Sequence, residues 1–129
     1  MAIPEINEAI KRTKAPVVFN CNLVNRTDQT PGFDLDDYVS LVHRYLKYDR
    51  INVATINKTL PIGHSSYDLV TFRVNKILNR KYEVFRFDLT DGEASKFSKS
   101  DEIAYLRSPF RHDGEKVGKA LIKIFKQFK

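Results

Sequence analysis

The sequence predicts an α+β domain spanning residues 1–129, with an antiparallel sheet of about four strands covered on one face by helices. Three observations carry that expectation. Two alternating stretches, 67–77 and 81–89, flank Asn79-Arg80 as the arms of a hairpin flank their turn. Residues 115–129 repeat at helical period, so a C-terminal amphipathic helix is expected to pack on the sheet. Hydrophobic residues make up 42% and charged residues 29%, with five glycines and five prolines, a globular composition without long linkers. There is no internal repeat, no low-complexity segment and no shift of composition that would mark a second domain.

Taken from the N-terminus, residues 4–14 read as a short amphipathic helix. Ile6 and Ile10 turn inward, Glu5 sits at its positive end, and Pro16 stops it. Val17 to Val24 alternates as a strand with Phe19, Cys21 and Leu23 on one face and Asn20 and Asn22 on the other. Residues 26–33 are turn chemistry. Asp34-Leu35-Asp36-Asp37 then opens a helix to about Tyr48, with the carboxylates placed to cap it and Leu35, Val39, Val42 and Leu46 as its core stripe.

Arg50 to Lys58 is a second strand and 60–66 a loop. The hairpin register around Asn79-Arg80 sets Val70, Phe72 and Val74 opposite Leu89, Phe87 and Phe85 on one apolar face. It also sets Arg73 opposite Arg86, Asn75 opposite Val84 and Ile77 opposite Tyr82 on the other face. Residues 97–107 read as a helix capped by Ser98 or Ser100. Asp113 caps the last helix, whose arc of Val117, Leu121, Ile124, Phe125 and Phe128 faces the sheet.

Charge is distributed unevenly. Residues 1–64 carry 8 basic and 7 acidic side chains, and residues 65–129 carry 14 and 9. The second half thus holds +5 of the chain's net +6 and calls for an anionic partner. The expected function is therefore a non-catalytic nucleic-acid-binding module for single-stranded RNA or DNA, of the RNA chaperone or regulator type. Arg73, Arg86, Lys76, Arg80 and Lys81 would contact phosphates, and Tyr67 and Tyr82 would stack on bases. Lys116, Lys119, Lys123 and Lys126 form a basic ridge on the last helix for further phosphate contacts.

Two alternatives come from other classes. A small metal-independent ribonuclease or toxin would use His64 and His112 as acid and base, with Tyr105, Arg107 and Arg111 beside them. A protein-binding inhibitor or adaptor would dock the basic surface on an acidic partner. No metal or cofactor is expected: one cysteine and three scattered histidines do not make a zinc site, and no Gly-rich phosphate loop occurs. Apolar runs stop far short of the ~20 residues that span a bilayer. With no leader read in Met1 to Glu5 and with Cys21 alone, the expected location is the cytoplasm. The exposed edge of a small sheet leaves room for a homodimer.

Overall fold

Every strand of the sheet runs in the same direction, and the second strand in sequence is the central one. The computed structural model describes residues 3–73, 80–102 and 109–128. Its elements are α1 (Pro4–Arg12), β1 (Val18–Asn20), α2 (Leu35–Leu46), β2 (Val53–Asn57), a single 3-10 turn at His64–Ser66, β3 (Glu83–Phe87) and α3 (Gly114–Gln127). β1 pairs with β2 with Val18 against Val53, and β2 pairs with β3 with Val53 against Glu83, both in parallel.

Parallel neighbours require a crossover, and α2 supplies the one between β1 and β2. Asp34 and Asp37 close a reciprocal capping box at its start, as the sequence implied. The predicted stripe faces inward: Leu35, Val39 and Leu46 are buried, and Val42 packs against the same core. Lys47, in the left-handed region at φ 66°, ends the helix by donating its N–H to the His43 carbonyl at 2.8 Å.

Phe19 and Val84 share this core with Cys21, Ala54, Ile56 and α2. On the opposite face of the sheet Val53 and Thr55 are also fully buried. α3 lies against that second face. Its Lys123 ammonium sits 6.0 Å from the Phe87 ring centre, and its Ala120 and Ile124 are buried. The sheet is thus a middle layer, and β2 is buried at every position but Asn57 because it meets protein on both sides.

Several expectations are corrected. The antiparallel sheet of about four strands gives way, among the described residues, to three parallel strands. The hairpin does not form among the described residues. β3 bonds to β2, whereas Val70 donates its N–H to the Leu23 carbonyl at 3.1 Å and Thr71 bridges to Asp34. The pairings of Phe72 with Phe87, Val70 with Leu89 and Arg73 with Arg86 therefore do not occur. The pairings of Val74, Asn75 and Ile77 lie outside the described residues. Alternation places side chains on two faces but says nothing about which strand lies alongside, and here the partner is the strand reached by crossover.

Residues 97–102 form turns rather than the start of a helix, and 103–108 lie outside the described residues. α3 is capped by Asp113 as expected, through bonds from the N–H groups of Glu115 and Lys116 at 2.9 and 3.0 Å. Its inward arc is rotated toward Ala120, leaving Phe125 and Phe128 exposed. α1 buries no residue. It is held by polar ties, chiefly the Tyr48 hydroxyl on the Asn7 carbonyl at 2.6 Å and Arg50 on the carbonyls of Ile10, Thr13 and Ala15.

Candidate functional site

In open parallel sheets, ligands bind in the crevice beyond the carboxyl ends of the strands, where loops leave one layer for another. This chain has a cleft of about 250 Å³ at that place. Asn22 and Leu23 line it from the end of β1, and residues 56–61 line it from β2 and the loop after it. Residues 69–72 form the opposite wall, and Arg86 of β3 closes the side.

The loop after β2 is fixed by its own side chains. Asn57 donates its amide to the Thr59 carbonyl at 2.7 Å and accepts from the Leu89 N–H at 2.9 Å. The Thr59 hydroxyl lies 3.0 Å from Asn57 Oδ1 and 2.9 Å from Asp88 Oδ1. The Lys58 N–H donates to the Phe87 carbonyl at 2.8 Å. Lys58 is therefore an exposed residue carried on a pinned backbone. Neither Lys58 nor Arg86 has a carboxylate partner among the described residues. Two free cations with Asn22 and Thr71 at their side make a concave, positively charged site with hydrogen-bonding groups around it.

The 69–72 wall is anchored from behind by a buried charge cluster. Asp36 of α2 is 2% exposed and receives both Arg80 Nε and Nη2, at 2.7 and 2.6 Å. The Tyr82 hydroxyl donates to the same carboxylate. The Arg80 guanidinium also lies 4.7 Å from the centre of the Phe72 ring, which lines the cleft, and donates to the Arg73 carbonyl at 2.9 Å. The bond to Asp36 raises the Arg80 pKa, and burial foremost raises that of Tyr82.

These contacts relocate the predicted site residues. Arg80 and Tyr82 are interior ties to Asp36, and Tyr82 packs against the core under α2. Lys81 is exposed and pairs with Asp49 at 3.2 Å. Arg73 is exposed, Arg86 lines the cleft, and Lys76 lies outside the described residues. Tyr67 rests edge-on against Phe110 at 5.0 Å. On α3, Lys116 binds Asp88 at 2.7 Å, Lys119 binds Glu115 at 2.6 Å, Lys123 lies over Phe87, and Lys126 is exposed.

Of the residues named for a ribonuclease, His112 and Arg111 can be placed, Arg111 being exposed. His112 Nε2 is engaged by the Cys21 carbonyl at 3.1 Å, and Tyr105 and Arg107 lie outside the described residues. Cys21 is fully buried, and burial pushes its thiol pKa up to about 12, so it is no nucleophile. Among the described residues no cluster of three metal-binding side chains occurs, and no helix is long and apolar enough to cross a membrane.

Lys58, Asn57, Thr59 and Thr71 were not singled out from sequence. The available signal was the run Val53-Ala54-Thr55-Ile56, where residues of both parities are apolar as in a strand buried on both faces, which puts Asn57-Lys58-Thr59 at its carboxyl end.

No family model matches this chain. A protein of Aquifex aeolicus named "Putative gluconeogenesis factor" is 25% identical over 129 residues, covering 95% of this chain and 35% of its own length. A protein of Streptococcus pyogenes serotype M3 with the same name is 37% identical over 57 residues, covering 44% of this chain and 18% of its own. The chain thus spans about a third or less of these relatives. A crystal structure of a UPF0052 family member from Bacillus halodurans superimposes with a TM-score of 0.66 at 18% identity, over 93% of this chain and 36% of that one. These likenesses overturn the nucleic-acid-binding expectation. The relatives are named as gluconeogenesis factors, and the part of the expected nucleic-acid face that carries Tyr82 and Val84 packs under α2.

Proposed function

We propose that this chain binds a small anionic metabolite in the cleft at the carboxyl ends of β1 and β2, and serves a metabolic rather than a nucleic-acid-linked role. One observation carries the reading: Lys58 and Arg86 both line a concave site at the strand ends with no carboxylate to neutralise them among the described residues. Asn22 and Thr71 supply neutral hydrogen-bonding groups beside that charge. The volume of about 250 Å³ suits a compact ligand, at or just below the lower end of ordinary small-molecule pockets. The relatives' name supports the setting, since glucose synthesis proceeds through small carboxylates and sugar phosphates.

The test is calorimetric titration of the purified chain with a panel of such carboxylates and sugar phosphates. One or more should bind, and Arg86→Ala and Lys58→Ala should each weaken that binding by roughly tenfold, the value of one charge-assisted hydrogen bond. Absence of binding across the panel at millimolar concentration, or binding indifferent to both substitutions, would remove the cleft as the site.

A further inference from the structure

A second concave surface lies on the other side of the sheet, between the end of β3 and α3. It encloses about 280 Å³ and is lined by Lys58, Phe87, Asp88, Lys116, Lys119, Ala120 and Lys123. The three α3 lysines are spaced by three and four residues, so they stand on one helix face and point along one groove. Phe87 and Ala120 give the groove an apolar floor, which keeps water from screening the charges above it fully.

The counter-charges do not match the lysines. Asp88 is held by Lys116, whose ammonium also donates to the Thr90 carbonyl at 2.8 Å. That bond lowers the Asp88 pKa and raises that of Lys116, so this pair is satisfied within the chain. Lys119 meets Glu115, but both are at least 70% exposed, and such a pair is readily exchanged. Lys123 faces the Phe87 ring, and Lys58 has no carboxylate partner among the described residues. With Lys116 held by Asp88, the ammonium groups of Lys58, Lys119 and Lys123 around one groove repel each other unless an anion joins them.

Lys58 also lines the cleft on the opposite face, because it stands at the end of the central strand, where both sides of the sheet are in reach. We propose that the α3 groove is a second anion site, built for a compact phosphate-type anion, and that it competes with the cleft for Lys58. An anion that draws the ammonium to one face withdraws it from the other, and linkage makes the antagonism reciprocal. The competition rests on the cleft reading above; the groove site does not.

The experiment follows backbone amide resonances of the isotope-labelled chain during titration with inorganic phosphate, at ionic strength held constant with chloride. Saturable shifts are expected at Phe87, Lys119, Ala120 and Lys123. Lys119→Ala combined with Lys123→Ala should weaken them by roughly tenfold or more, while Arg86→Ala leaves them unchanged. Non-saturating shifts spread over all lysines, or saturable shifts untouched by the double substitution, would overturn the groove site.

With the groove established, phosphate affinity is remeasured with the cleft filled by whichever metabolite the calorimetric panel identifies. A loss of at least about threefold, abolished in Lys58→Ala, is the expected result. Unchanged affinity would refute the competition alone. If the panel yields no ligand, the cleft reading fails while the groove result still stands on phosphate and the α3 substitutions.

Discussion

The cluster joining α2 to the segment before β3 gives the sharpest stability prediction. Asp36→Ala removes the carboxylate that accepts Arg80 Nε, Arg80 Nη2 and the Tyr82 hydroxyl. The Arg80 side chain is 12% exposed, so its charge is left in a site with little access to water. Removing one partner of a buried ion pair costs about 3–5 kcal/mol, because the remaining charge stays desolvated and uncompensated. Against a total stability of about 5–15 kcal/mol this is a large share.

Urea denaturation should show the midpoint falling with little change of slope. Asp36→Asn, which keeps the shape but sets an amide donor against guanidinium donors, should show a smaller loss in the same direction. Arg80→Met in the Asp36→Ala background should then cost far less than it does alone, since no stranded charge remains. Additive costs across that cycle, or a loss under about 1 kcal/mol for Asp36→Ala, would refute the reasoning. The same variants should weaken metabolite binding, because Phe72 under Arg80 forms part of the cleft wall.

Two further predictions concern acid and the start of α2. Burial is the main cause lowering the pKa of both His43 and His112. His43 Nε2 accepts the N–H groups of Arg50 and Ile51 at 3.3 and 3.2 Å, a role that protonation destroys. The folded chain therefore binds fewer protons than the unfolded one below the ordinary histidine value of about 6.5. Stability should be level above that pH and fall as pH drops below it, by less in His43→Gln; a thermal midpoint unchanged between pH 7.5 and 5.5 would count against this. Asp34→Ala removes one half of the capping box and should cost about 1 kcal/mol in urea, whereas the exposed Ser40→Ala within the same helix should leave the midpoint nearly unchanged.

Elements whose signals are local can be read from the order of residues alone. Asp34 and Asp113 mark helix starts because a carboxylate satisfies the open N–H groups wherever the chain turns into a helix. The stripe of Leu35, Val39, Val42 and Leu46 and the inward face of Phe19, Cys21 and Leu23 follow from periodicity, and each is buried or packed on the core. Strand partnership is not local. Backbone N–H and C=O groups are the same at every residue, so alternation in 67–77 and 81–89 is equally compatible with a hairpin and with two segments that never pair.

That β3 lies beside β2, and with it which groups meet, is set by long-range packing. Arg80 and Tyr82 look like surface groups in the sequence because their partner Asp36 lies 44 and 46 residues away. Lys58 looks like one charge among many, until the crossover places it at the end of the central strand with a cavity on either side. Composition shows that the chain carries excess positive charge; the direction of the strands decides where that charge is left without a partner.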